Sequence, residues 1–299
     1  MILCPISIRI EKFNGQFRFS ESTQIREISN SELNQYFGVD APQFNDDDQI
    51  TGYTQFQGID GRQRNTIWTS LPKGLLASQV DEYPPPKYVI ESSNDEEIRK
   101  MITALHIITR GSFVCPIGIE TLSKTEETIH FYPPFNFTFE LPCKLSNHDL
   151  SKSQELFSRL MKNKQDHGLE ILLKRLLRCC DIDQSREIRM IDAVSIIESI
   201  VCGNHKTEMT FRFSLNSSFL LNKAGVQVPF SEMKVFYDTR SNLAHGGHDK
   251  KLASDSIKWT EAIDKILNYM KVVLKEYIDH DVDGKKIEKE LLSKLNIPS

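Results

Sequence analysis

The residues best equipped to do chemistry lie in YDTRSNLAHGG, Tyr237 to Gly247. Arg240 offers a planar fork of N–H donors that matches the oxygens of a phosphate. His245 offers an imidazole that can gain or lose a proton near neutral pH. Ser241 and Asn242 stand between them. A cation to grip a phosphate and a group to move a proton form a minimal kit for cutting a phosphodiester without a metal ion. The alternative for the same residues is a surface helix that ends in a capping histidine.

The spacing decides what these groups can do together. Polar residues followed by Gly246 and Gly247 read as the last turns of a helix and its stop. Tyr237, Ser241 and His245 recur every four residues and share a face, whereas residues five apart point in different directions. Arg240 and His245 therefore converge only if the helix loosens near its end, or if two copies of the chain meet in a dimer.

Two further segments precede this one. REIRMIDAVSIIESIV, Arg186 to Val201, is strongly apolar, with Ile188, Ile191, Val194, Ile197, Ile200 and Val201 in a broad stripe. It carries Asp192 and Glu198. TEMTFRFSLNSSFLL, Thr207 to Leu221, follows it. This order resembles the Apea-like branch of the HEPN domains (higher eukaryote and prokaryote nucleotide-binding), over roughly residues 150–280. That branch shows a D-x5-E helix, a second apolar helix and a Y-x-x-R-S-x-x-x-H-G signature. Here these are Asp192 and Glu198, then Tyr237, Arg240, Ser241, His245 and Gly246. ITALHIITRGSFV, Ile102 to Val114, resembles a segment found upstream of such domains.

The resemblance implies an all-α HEPN bundle over 146–280 and metal-independent endoribonuclease activity, with paired R-x4-6-H motifs at a homodimer interface. It implies cleavage to a 2′,3′-cyclic phosphate and a free 5′-hydroxyl, in antiviral defence or as a toxin. It also covers inactive members that bind nucleotide, RNA or a protein partner, and the non-catalytic module stays the second reading. In the commonest form of the superfamily asparagine follows the arginine. Here Ser241 does, as is common in the Apea-like branch, and Asn242 comes one later. Arg240 and His245 are the expected catalytic pair, with RNA as substrate and a protein regulator as a further partner.

Asp192 and Glu198 are six apart, about 120° around a helix, so they cannot face one site as a carboxylate pair. One holds Arg240 while the other faces solvent or caps a neighbouring helix. Glu198, flanked by core residues, is the choice for Arg240. An ordinary structural ion pair is the competing account of either acid.

Residues 1–145 read as a mixed α+β domain of undecided topology, for sensing or scaffold. Its β-rich stretches are 2–10, 86–91, 112–118, 128–132 and 135–141, with helices at 30–37 and 94–109. Pro84 to Pro86 and Pro133 with Pro134 mark turns, and Asn45 to Asp48 an exposed loop. From Asn147 helices are expected at 149–162, 168–180, 186–202, 206–221, 230–245 and 254–279. Residues 281–299 read as a tail.

Asp279, Asp281, Asp283, Gly284 and Glu290 match a calcium-loop pattern. Lys286 occupies a place usually apolar, and no second copy exists, so a polar connector is the preferred reading and no metal or cofactor is expected. His205 and His248 have no recognisable ligand set. Six cysteines without a C-x-x-C fit buried thiols in a reducing cytoplasm better than a zinc site. No apolar run is long enough to span a bilayer, and Met1 to Pro5 lacks a basic leader. The net charge of −4 argues against a broad nucleic-acid-coating surface. A local patch is left open, from Lys162, Lys164, Lys174, Arg175 and Arg178 with Lys250 and Lys251, against the alternative of solvated helix faces.

Overall fold

The computed structural model describes residues 2–6, 8–11, 13, 15–29, 31–32, 43–44, 50–52, 88–109, 117–123, 126–131, 143–163, 166–181, 184–203, 207–247 and 256–294. The fold is α+β and mostly helical. It divides into two compact units, Met1–Ser158 and Arg159–Ser299.

The first unit is built on a sheet. Its strands are β1 (Ile2–Ile6), β3 (Gln16–Arg18), β4 (Thr23–Glu27), β7 (Tyr88–Ser92), β8 (Ile117–Ser123) and β9 (Glu126–Phe131). They lie in the order β3-β4-β7-β1-β8-β9, and every pairing is antiparallel. Register places Cys4 opposite Ile90 and Ile90 opposite Ile25, and this apolar row is completely buried. Tyr88, Val89 and Ile90 are all buried, as a strand covered on both faces requires. Two small pairs accompany the sheet. Parallel β2 (Ile8–Ile10) and β10 (Cys143–Leu145) form one, and β5 (Gln43–Phe44) with β6 (Ile50–Gly52) forms the other.

Helix α1 (Asp95–Ile108) packs beside β7. Asn94 caps it by accepting from the Glu96 N–H, and three acidic residues fill the first turn, where the positive end of the helix favours them. Ile98, Met101, Ile102 and Leu105 form its buried stripe.

The expected boundary at 145/146 moves into helix α2 (Asn147–Lys162) for a physical reason. Phe157 meets Phe19 ring to edge at 5.9 Å, and Gln154 donates to the Arg18 carbonyl, so the first turns of α2 belong with the sheet. The expected strand at 135–141, most of helix 30–37 and the proline clusters lie outside the described residues.

The second unit holds helices α3 (His167–Cys180), α4 (Arg186–Val201), α5 (Met209–Lys223), α6 (Phe230–Ala244), α7 (Ser256–His280) and α8 (Gly284–Lys294). Helix α4 is its axis, packed by α3, α5, α6, α7 and α8. That is why α4 is apolar nearly all round, with Met190, Ala193, Val194, Ile196, Ile197, Ile200 and Val201 buried. Ser185 starts it by accepting from the Ile188 N–H. The stretch expected as a tail instead contains α8, whose Ile287 is buried. Cys4, Cys179, Cys180 and Cys202 are buried.

Candidate functional site

Asp192, Ser195 and Glu198 interrupt the apolar surface of α4, and all three have partners. Asp192, 2 % exposed, is gripped at both oxygens by Nε and Nη2 of Arg178 from α3. This corrects the expectation that the acid not paired with Arg240 faces solvent or caps a helix. A carboxylate buried this deeply needs a cation, and Arg178 supplies one from a half-exposed position. Ser195 and Glu198 lie three apart on α4, so they sit on neighbouring positions of one face. Both receive Arg240 of α6. Its Nη2 donates to Glu198 Oε2 at 2.9 Å and to Ser195 Oγ at 3.4 Å.

Glu198 is held from the other side as well. The Tyr237 hydroxyl donates to its Oε1 at 3.0 Å. Burial first, and then the negative charge of Glu198, push the Tyr237 hydroxyl up to about 12, so it remains a donor across neutral pH. Its ring lies 5.0 Å from Phe213 of α5, which fixes the phenol in place. Tyr237 and Arg240 reach the same carboxylate because they are three apart on α6. Ser195 carries no direct sign in the sequence; only its spacing from Glu198 points to it.

Arg240 is incompletely satisfied. Its side chain is 25 % exposed, and only Nη2 makes hydrogen bonds among the described residues. Its Nε is buried without an acceptor there. Guanidinium N–H donors beyond those of Nη2 are therefore left without an acceptor among the described residues.

His245 caps α6, with φ −94° and ψ 13°. Its N–H donates to the Ser241 carbonyl at 3.2 Å, so the helical pattern runs unbroken up to the cap. Beyond it the Gly246 N–H bonds the Leu243 carbonyl at 3.1 Å, and the Gly247 N–H bonds the Asn242 carbonyl at 2.9 Å. This pair of bonds is the Schellman stop. It requires both glycines. Gly246 takes φ +75°, and a Cβ on Gly247 would stand 2.9 Å from the Asn242 oxygen.

The helix does not loosen, so Arg240 and His245 diverge by about 140°. Burial agrees with that geometry. Met233, Phe236, Tyr237 and Thr239 face inward, Arg240 is intermediate, and Lys234, Val235, Asn242 and His245 are exposed. Ser241 is half-buried beside the stop. The His245 imidazole has no hydrogen-bond partner among the described residues. One copy of the chain thus presents an inward-held guanidinium and an outward-facing imidazole near one helix end.

The other candidates have structural work. The calcium-like pattern does not form a loop, because α8 begins at Gly284 and includes Glu290. Asp283 caps that helix by accepting from the Lys286 N–H. Asp279 pairs with Arg159 and Lys275, Asp281 with Lys286, and Glu290 with Lys223. Among the described residues no cluster of three or more histidine, cysteine or acidic groups could hold a metal. In the basic patch, Lys174 pairs with Glu170 and Arg178 with Asp192. Lys164, Lys250, Lys251, His205 and His248 lie outside the described residues. No helix among the described residues is long and apolar enough to cross a membrane. Comparison with models of known families, with characterised proteins and with solved structures gives no match to this chain.

Proposed function

We propose that this chain is a metal-independent endoribonuclease of HEPN type, acting as a homodimer in which each active site takes Arg240 from one copy and His245 from the other. The observation that carries the reading is the state of the two groups: a guanidinium with unused donors and an exposed imidazole, set near one helix end by Glu198 and by the glycine stop.

The chemistry follows from those groups. His245 takes the proton of a ribose 2′-hydroxyl as its oxygen forms a bond to phosphorus. The P–O5′ bond breaks, and the departing oxygen takes up a proton. The products are a 2′,3′-cyclic phosphate and a 5′-hydroxyl end. Arg240 holds the phosphate oxygens and stabilises the negative charge that builds on them. Glu198 and Ser195 position Arg240, and Tyr237 positions Glu198. A cytoplasmic setting, a protein regulator, and a role in defence or as a toxin belong to the same proposal.

A non-catalytic HEPN module that binds nucleotide, RNA or a protein partner is the second reading. The observation that favours it is the divergence of Arg240 and His245 within one copy. Incubating the full chain with total cellular RNA in EDTA separates the two readings. The enzyme yields fragments with cyclic-phosphate ends. His245→Ala loses ~10²–10⁴-fold of the rate, the usual share of acid–base help, with its melting temperature unchanged. Intact RNA with the parent protein, or undiminished cutting by His245→Ala, rejects the nuclease.

A further inference from the structure

The two arginine–carboxylate pairs on α4 are built differently, and the difference has a consequence. Arg178 meets Asp192 with two donors on two oxygens, a closed pair with nothing left to offer on that edge. Arg240 meets Glu198 through Nη2 alone. The second Glu198 oxygen belongs to Tyr237. Glu198 therefore cannot swing round to close a two-point pair without losing the phenol. Its side chain is 18 % exposed and that of Arg240 25 %, so an anion from solvent can reach the guanidinium.

We infer that Glu198 is a built-in competitor for the phosphate that Arg240 binds, held by Tyr237 in a one-point contact that a phosphodiester must share or displace. This rests on the reading of Arg240 as a phosphate-binding group. Guanidinium and carboxylate together carry no net charge, so the site attracts an anion weakly until the contact opens. Such an arrangement keeps ground-state binding low and makes phosphate affinity depend on one carboxylate. It assigns Glu198 a role that an ordinary structural ion pair lacks: removing its charge should strengthen ligand binding.

The test uses the full chain and a short single-stranded RNA with every 2′-hydroxyl methylated, which can bind but cannot be cut by its own 2′-oxygen. Binding is followed by fluorescence anisotropy at several salt concentrations. Glu198→Gln should bind this probe about ten-fold tighter, the gain expected from one freed charge-assisted contact. Its salt dependence should steepen by about one phosphate contact. Adding Arg240→Ala should return affinity to the parent level or below. Should Glu198→Gln fail to fold, Glu198→Asp withdraws the carboxylate from Nη2 and should give a smaller tightening. Unchanged or weaker binding in the folded variant overturns the inference, as does tightening that survives Arg240→Ala. The nuclease reading fails separately. A parent protein that leaves RNA intact in EDTA, with Glu198→Gln still tightening on the probe, removes the catalysis and keeps the competitor.

Discussion

Two arginines reach the same helix and meet carboxylates of unequal burial, which sets how each pair responds to mutation. Arg178→Ala strands the buried Asp192 carboxylate and should cost ~3–5 kcal/mol. Asp192→Asn leaves Arg178 half-exposed and able to hydrate, so the loss should be only ~1–2 kcal/mol. Urea unfolding of both variants measures the asymmetry; equal losses would contradict it. Alkaline pH probes a second pair of contacts. Tyr237 donates to Glu198 and Tyr269 to Glu232, and burial, aided by those carboxylates, raises each phenol from 10.0 to about 12. Folding thus favours the protonated phenols. Their contribution is complete below pH 10 and is lost as pH climbs through 12. Melting temperature should fall across that window, and less steeply in Tyr237→Phe or Tyr269→Phe. Glu198 as the partner of Arg240 was legible in the sequence because its neighbours are apolar and leave it one polar direction. The partner of Asp192 was not, because Arg178 is on another helix and read as one of several surface cations.

Helix periodicity made most of the second unit readable, since apolar spacing and a glycine stop are local signals. The ends of α6 illustrate this. Phe230 opens it and the glycine pair after His245 closes it, as the sequence indicated. Gly246→Ala forces a Cβ into a left-handed conformation and should cost roughly 1–2 kcal/mol. That corresponds to a fall in Tm of a few degrees, about 2–4 °C per kcal/mol. Helix α8 was missed because DVDGKKIEKE spends its acids on a cap and ion pairs, which mimic a metal loop on paper. Only Ile287 and Gly284 are buried in it. Gly284 sits tightly on α4, where an added Cβ would stand 2.5 Å from the Val201 oxygen. Gly284→Ala should therefore lift α8 from α4, seen as lost hydrogen-exchange protection in residues 284–294 while α4 keeps its own. Protection unchanged across α8 would contradict that packing. Strands β3 and β4 also escaped the sequence. They are short, mostly polar, and joined by a serine-rich turn, so the pairing of β4 with β7, and of β3 with β4, comes from tertiary contact rather than local pattern.

At the scale of the molecule, an α+β unit and a helical unit share a chain of net charge −4. Lys174 and Arg178 are each paired to an acid, and a negative net charge does not favour broad electrostatic capture of RNA. In the proposed nuclease, recognition then has to come from a localised site. The unbroken end of α6 sends Arg240 and His245 in different directions, so the proposed nuclease site requires a second copy. Mixing two inactive variants tests this most directly. Arg240→Ala and His245→Ala are unfolded together, refolded, and assayed on RNA in EDTA beside each variant alone. In a two-fold dimer each mixed pair regains one intact site, and random pairing should restore about a quarter of the parent rate. If the mixed dimers form and cut no faster than either variant by itself, the two groups do not act across copies and the account is wrong.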